Sequence, residues 1–87
     1  MKNPIKKCKY IITKIEDSKG NPRSDEASKK RINKIGRADV ISDTLLFFYL
    51  DKLTGFKTSK IQDIKETDEG ICVETLNSKY YLEETYV

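Results

Sequence analysis

The sequence predicts an all-β protein, a small and strongly bent antiparallel barrel. Strand-forming residues dominate its composition, since the 87 residues include ten Ile, three Val, seven Thr and eight aromatic residues but only two Ala. Short apolar segments alternate with turn residues, which is typical of sandwiches and small barrels. A chain of this length has room for one domain. The order of five or six short strands, one long early loop and tight later turns favours an SH3-like barrel, with an OB-type barrel as the alternative.

The first strand is predicted between Lys6 and Ile15, where β-branched residues dominate and alternate positions form two faces, one with Cys8, Tyr10 and Ile12 and the other with Ile11, Thr13 and Ile15. Residues 16–30 contain Gly20, Asn21 and Pro22 and only one apolar residue, Ala27. Because nothing in this segment can anchor to a core, we expect a long, mobile surface loop. Within it, the residues from Ser24, as N-cap, to Lys29 can form one exposed helical turn.

The middle of the chain predicts two further strands. In residues 30–41 apolar residues resume on both sides of Gly36, which we interpret as a bend or bulge between two short β segments. The apolar run Leu45–Leu50 predicts a strand that is buried on both faces or lies at the centre of a strongly curved sheet. A short core helix over Asp43–Leu53 is the alternative, but three consecutive aromatic residues favour the strand. If part of this run were exposed, it would be the first interface candidate.

The C-terminal part predicts a three-stranded meander over residues 60–66, 71–76 and 79–84. It follows a hairpin turn at Asp51–Phe56, and a second tight turn lies at Asp68-Glu69-Gly70. The spacing of Ile61 and Ile64 breaks the alternation and predicts a bulge or a single helical turn. A two-residue turn at Asn77-Ser78 would pair Thr75 with Tyr80 and Val73 with Leu82. One face would then hold Ile71, Val73, Tyr80 and Leu82, and the other Cys72, Glu74, Lys79, Tyr81 and Glu83.

The C-terminal third resembles the endings of small uncharacterised proteins of Gram-positive bacteria and their phages. Those endings carry a Thr-Ser pair before a short apolar strand, followed by a hairpin with a Thr-x-Asn-Ser-x-Tyr pattern. The matching residues here are Thr58, Ser59, Ile61, Ile64, Thr75, Asn77, Ser78 and Tyr80. The resemblance implies a small β fold from a bacterial or mobile-element setting, and it implies no activity.

The sequence indicates no catalytic group, cofactor or metal site. Without His there is no Ser-His or Cys-His pair, and the four glycines are isolated rather than grouped in a phosphate loop. Cys8 and Cys72 are expected to be reduced and to bind no metal. The longest apolar run has six residues, Leu45–Leu50, too few for a signal peptide or a membrane span. We therefore expect a non-catalytic cytoplasmic protein without membrane contact.

The charge distribution points to binding. Residues 1–37 carry a net charge of +8 and residues 38–87 a net charge of −5. The predicted function is protein–protein binding, as an adaptor or inhibitor, with contacts from Lys19, Asn21, Arg23 and Tyr81; alternatively, Tyr81 packs across strands against Glu74. The two oppositely charged halves also permit a homodimer. Nucleic-acid backbone binding is the alternative function, with Tyr10 as a stacking partner and basic residues at Lys2, Lys6, Lys7, Lys9, Lys29, Lys30, Arg31, Lys34 and Arg37.

Overall fold

Six antiparallel strands form a closed sheet in the computed structural model, which describes residues 3–86. Each strand pairs with the next in sequence, and the last pairs with the first. The all-β prediction is therefore confirmed. Lys2, which the sequence suggested for nucleic-acid binding, lies outside the described residues. The elements are β1 (Lys9–Asp17), α1 (Glu26–Arg31), β2 (Ile35–Ile41), β3 (Thr44–Tyr49), β4 (Gly55–Glu66), β5 (Gly70–Thr75) and β6 (Ser78–Thr85).

The core lies inside the closed sheet and receives alternate residues from five of its strands. Successive side chains of a strand point to opposite faces, so one side of each strand is buried. The largest fully buried side chains are those of Tyr10, Ile12, Leu45, Phe47, Val73 and Leu82.

The surface loop predicted over residues 16–30 is shorter in the structure, where residues 18–25 connect β1 to α1. Glu16 and Asp17 belong to β1, which begins at Lys9 rather than Lys6. The Asp17 carboxylate accepts hydrogen bonds from the backbone N–H groups of Lys19 and Asn21, at 2.9 and 3.0 Å, and so closes a tight turn. Strand pairing and local side-chain hydrogen bonds thus organise a segment that has almost no apolar residues.

The helical turn in this segment begins one residue later than predicted and becomes helix α1. Asp25, not Ser24, is the N-cap, because its carboxylate accepts hydrogen bonds from the Ser28 N–H at 3.1 Å and the Ser28 hydroxyl at 2.9 Å. Ser28 is also buried. As expected, no residue of segment 16–30 belongs to the apolar core. The segment is instead tied to β6 by Arg23, whose Nη1 donates to Ser78 Oγ at 3.2 Å.

Strand β3 confirms the strand prediction for the apolar run and excludes the helical alternative. The strand is not buried on both faces, however. Leu45 and Phe47 are fully buried, whereas the side chain of Phe48 is 52% exposed. The closed sheet is a single layer, so one face of β3 points to the core and the other to solvent. Exposure of Phe48 makes this face the first interface candidate.

Gly36 lies within the single strand β2 and does not separate two shorter strands, as the sequence had suggested. A Cβ atom at this position would lie 2.1 Å from the Phe48 carbonyl oxygen and 2.6 Å from Cε2 of Phe47. The absence of a side chain therefore allows β3 and the Phe47 ring to approach the β2 backbone closely.

The C-terminal meander is confirmed, including a break in the β4–β5 register between Ile61 and Asp63. The predicted turn is wrong by one residue. Val73 pairs with Tyr80 rather than Leu82, because the Thr75 hydroxyl accepts the Ser78 N–H at 3.1 Å and donates to the Ser78 carbonyl at 3.0 Å, closing the turn around Leu76-Asn77. Moving the turn by one residue shifts the pairing by two, so each residue keeps its face. The predicted inner residues Ile71, Val73, Tyr80 and Leu82 are all buried.

Closure of the sheet is uneven. Strand β1 pairs with β6 through eight residue pairs, from Lys9–Thr85 to Asp17–Ser78. It pairs with β2 through only two, Tyr10–Gly36 and Ile11–Ile35. Within residues 3–86, the rest of β2 therefore pairs with β3 alone.

Candidate functional site

The candidate site is the edge of β2 that β1 leaves uncovered. The Leu50 N–H donates to the Ile35 carbonyl at 3.0 Å, so the odd-numbered residues of β2 direct their backbone groups toward β3. The even-numbered residues Gly36, Ala38 and Val40 direct theirs the other way. Within residues 3–86, no strand pairs with this side of β2 beyond Gly36. We call this side of residues 37–41 the open edge.

The backbone groups along the open edge differ in their surroundings. The Val40 N–H donates to the carboxylate of its neighbour Asp39, at 2.9 Å from N to Oδ1. Ala38 has no such side-chain cap among the hydrogen bonds of the described residues. Its N–H and C=O lie at the middle of the open edge, where an additional strand would bond.

The opposite wall of the site is the segment 3–8 that precedes β1. The ring of Tyr10 is fully buried in the core, so the suggestion that it stacks on a nucleic-acid base is wrong. Its hydroxyl accepts the Lys6 N–H at 3.0 Å. Burial raises the pKa of Tyr10 to about 12, so the phenol stays neutral near pH 7. An exposed salt bridge between Lys6 Nζ and Glu84 Oε2, at 3.2 Å, holds the segment toward β6.

Between the two walls lies a groove of about 460 Å³, which we call the edge groove. Its apolar side chains are Ile5, Cys8, Ala38 and Phe48, and its charged side chains are three cations, Lys6, Lys7 and Arg37, against one carboxylate, Asp39. A neighbouring cavity of about 490 Å³ extends along Val40 to Ile61 and Ile64, and Asn3 lines both spaces. The groove thus follows the open edge, with apolar surface inside and net positive charge.

A second concave surface lies where α1, β4 and the β5–β6 turn meet. It encloses about 240 Å³ and is lined mainly by polar side chains. Arg23, Arg31 and Lys57 supply its positive charge, and Asp25 supplies its carboxylate. We call it the arginine pocket.

The structure divides the basic residues that the sequence suggested for nucleic-acid binding. Lys6, Lys7 and Arg37 line the edge groove, and Lys9 lies beside Arg37 in a shallower cavity. Arg31 lies in the arginine pocket, and Lys34 Nζ is 3.8 Å from Asp51 Oδ2. Lys29 and Lys30 are exposed on α1.

The four residues predicted for partner binding also separate. Arg23 lines the arginine pocket, whereas Lys19 and Asn21 are exposed in the turn after β1 and line neither surface. Tyr81 donates from its hydroxyl to Glu16 Oε1 at 2.7 Å, which raises the pKa of Tyr81 and lowers that of Glu16.

The suggested packing of Tyr81 against Glu74 is wrong. Tyr81 lies opposite Cys72 on β5 and opposite Lys14 on β1, whereas Glu74 pairs with Lys79. The cause is the turn at Leu76-Asn77, which shifts every pair of the hairpin.

Sequence reasoning missed most of the apolar side of the edge groove. No motif marks Ile5, Cys8 or Ala38 for binding, although Cys8 lies within the predicted first strand. The exposure of Phe48 could have been predicted from the sequence, because a fully apolar strand in a small single-layer sheet must expose one of its faces.

Comparison with protein-family models, with curated proteins and with solved structures finds no match for this chain. The resemblance of its C-terminal third to small Gram-positive and phage proteins therefore stays a prediction. None of the helices among the described residues has the length and apolar character that crossing a membrane requires.

Proposed function

We propose that this protein is a non-catalytic binding module that takes up an acidic, extended peptide segment of a partner protein along the open edge of β2. The observation that carries the proposal is the two-pair contact between β1 and β2, which leaves residues 37–41 unpaired on one side beside a groove. Peptides bind such edges by adding a strand, with affinity from main-chain hydrogen bonds and specificity from side-chain pockets.

The backbone of Ala38 supports this mode. A peptide strand aligned with β2 would exchange two hydrogen bonds with Ala38, whose N–H and C=O face the groove. The charged neighbours Arg37 and Asp39 are exposed, as is typical of edges that are protected from uncontrolled pairing. Because the Val40 N–H already donates to the Asp39 carboxylate, it is not available to an added peptide strand. The peptide can therefore pair with only a short segment of β2.

The side chains support an acidic peptide with an apolar residue. Phe48 is 52% exposed and lies with Ile5 and Cys8 in the groove, where it can contact an apolar side chain. Lys7 and Arg37 lie beside it and have no carboxylate partner in the ion pairs of residues 3–86, whereas Lys6 is bound to Glu84. Complementary charge would therefore select acidic segments and speed their association.

We also propose that the closed sheet is an SH3-like barrel rather than an OB-type barrel. Every strand pairs with its neighbour in sequence, whereas an OB fold is a five-stranded Greek-key barrel with a different connection order. The turn and helix after β1 would then occupy the place of the largest variable loop.

The test of peptide binding uses Ala38→Pro, since proline lacks the N–H that strand addition needs and is tolerated where that N–H faces away from the ladder. Peptides selected from a random displayed library would be titrated by calorimetry into the wild type, Ala38→Pro and the matched control Ala38→Ser. We expect selected peptides rich in Asp and Glu, bound by wild type and Ala38→Ser. Binding should fall at least about tenfold in Ala38→Pro, the equivalent of one or two hydrogen bonds.

Side-chain variants test the same site independently. Phe48→Ala should weaken binding, whereas Leu76→Ala, which removes a similarly exposed apolar side chain (56%) outside the groove, should not. Peptides that bind Ala38→Pro and Phe48→Ala as tightly as the wild type would contradict the proposal. Circular dichroism on each variant establishes that the fold is retained.

Nucleic-acid backbone binding is the second candidate function, and the three cations of the edge groove support it. Nucleic-acid binding and peptide binding differ in their response to salt. Binding to phosphate groups releases counterions, so the affinity for nucleic acid falls steeply as the ionic strength rises. Retention of nucleic acid from lysate that nuclease or high salt abolishes, without selection of any peptide, would favour this alternative.

A further inference from the structure

We infer that the arginine pocket binds a single phosphate group, carried by a small phosphorylated ligand. The pocket shares no lining residue with the edge groove, so the inference does not rest on the proposed peptide binding. It rests on the charges, the orientation of Arg31 and the hydroxyl groups around the pocket.

The pocket has more positive than negative charge, and its one carboxylate is already engaged. Asp25 Oδ1 lies 3.0 Å from Arg23 Nε and 2.9 Å from the Ser28 hydroxyl, and Oδ2 accepts the Ser28 N–H at 3.1 Å. The Arg23 guanidinium lowers the pKa of Asp25 to about 2, so this carboxylate is charged at neutral pH. Within residues 3–86, no carboxylate forms an ion pair with Arg31 or Lys57. Two cations of the pocket thus lack a counter-ion.

Arg31 is held in one orientation. Its guanidinium carbon lies 4.0 Å from the centroid of the Phe56 ring, and its Nη1 donates to the Tyr80 hydroxyl at 3.2 Å. A guanidinium has five N–H donors, of which the hydroxyl groups of Tyr80 and the neighbouring Tyr49 can take two. Stacking on an aromatic ring together with free N–H groups is the arrangement in which arginine binds phosphate with two parallel hydrogen bonds.

Two hydroxyl groups add neutral donors. Ser78 Oγ accepts from Arg23 Nη1 at 3.2 Å, and Ser59 Oγ accepts from the Asn77 N–H at 3.3 Å. Each hydroxyl therefore keeps its own proton available for a ligand oxygen. Donors thus come from α1, β4 and the first residue of β6, which suits the several acceptor oxygens of a phosphate better than the two of a carboxylate.

The size of the pocket favours a small ligand. Its volume of about 240 Å³ is below the roughly 300–1,000 Å³ of sites that enclose drug-sized molecules. A phosphate group fits this space, and the rest of a phosphorylated ligand would extend into solvent.

The test is a titration of the ¹⁵N-labelled protein with inorganic phosphate at neutral pH and constant ionic strength, followed by NMR. We expect saturable chemical-shift changes at residues 57–59 and 77–78. Lys57→Gln should weaken binding about tenfold, as expected for loss of one charge-assisted contact. Lys65→Gln is the matched control on the same strand. Lys65 is exposed and lies outside the pocket, where its Nζ is 3.8 Å from Asp63 Oδ2. Ser59→Ala should weaken binding less than Lys57→Gln and should leave the fold intact.

Three results would overturn the inference. The first is that the chemical shifts of residues 57–59 and 77–78 do not saturate with phosphate. The second is that Lys57→Gln and Lys65→Gln change the affinity for phosphate equally, and the third is that acetate binds as tightly as phosphate. Phosphoserine and a nucleoside monophosphate distinguish possible carriers of the phosphate, and tighter binding of either than of inorganic phosphate supports a small phosphorylated ligand. Tighter binding of a short oligonucleotide that Lys57→Gln abolishes would replace that ligand class by nucleic acid. Ala38→Pro should still bind phosphate, which separates this result from failure of the edge groove.

Discussion

Replacing Tyr10 by Phe should loosen the wall of the edge groove while leaving the core packed. The ring is fully buried, and phenylalanine keeps all of its carbon atoms. The lost oxygen is the acceptor for the Lys6 N–H at 3.0 Å, the hydrogen bond that ties segment 3–8 to the core. Lys6 also forms a salt bridge with Glu84, which is exposed and therefore weak.

The expected magnitude follows from the value of one hydrogen bond. A net contribution of about 0.5–1.5 kcal/mol corresponds to a roughly two- to twelvefold increase in the opening of the segment at 25 °C. Amide hydrogen exchange followed by NMR measures this opening directly at Lys6. Exchange at Lys6 should accelerate by that factor, whereas amides in β4 and β5 should change only by the loss of global stability.

The matched control is Tyr86→Phe. It also removes one tyrosine hydroxyl, which donates to Glu84 at 3.0 Å on the exposed side of the same region. It should leave exchange at Lys6 nearly unchanged. Equal exchange rates at Lys6 in the wild type and Tyr10→Phe would refute the idea that the buried phenol holds the groove wall.

Two further predictions concern stability. Gly36→Ala should lower the free energy of unfolding by about 1–3 kcal/mol, as overpacking does, because the new Cβ would lie 2.1 Å from the Phe48 carbonyl oxygen; an unchanged urea midpoint would contradict this. Alkaline pH should also destabilise the protein, because the pKa values of Tyr10 and Tyr81 are raised by the fold. That stabilisation is complete below the ordinary tyrosine pKa of 10 and declines as the pH rises toward about 12. As the pH is raised, the absorbance of tyrosinate should increase over the same range in which circular dichroism reports unfolding. Ionisation of all five tyrosines near pH 10 in a protein that stays folded would contradict this prediction.

Local patterns in the sequence were sufficient for most of the strands. Alternation identified β1, β5 and β6, and the inner residues Ile71, Val73, Tyr80 and Leu82 are buried as predicted. The hairpin shows why this prediction was robust. A turn displaced by one residue moves the pairing by two, and the side-chain period of a strand is also two, so the faces do not change.

Polar contacts, some local and some between distant residues, explain where the sequence was insufficient. Segment 16–30 was expected to be a loop because Ala27 is its only apolar residue, but the Asp17 and Asp25 carboxylates organise parts of it by local hydrogen bonds. Arg23 then reaches the Ser78 hydroxyl, 55 positions away. A long-range polar contact of this kind has no periodicity, so no sequence pattern reveals it.

The residues themselves determined the fold class, the face that each C-terminal strand buries, and the basic character of the first half of the chain. Only the tertiary structure decided where the pairing of β1 with β2 ends and which side chains line the edge groove beyond that point. Ile5, Lys7, Arg37 and Phe48 form one groove because two segments distant in sequence separate after the Tyr10–Gly36 pair. Strand propensity depends on a few adjacent residues, whereas the closure of a sheet depends on pairing across the whole chain.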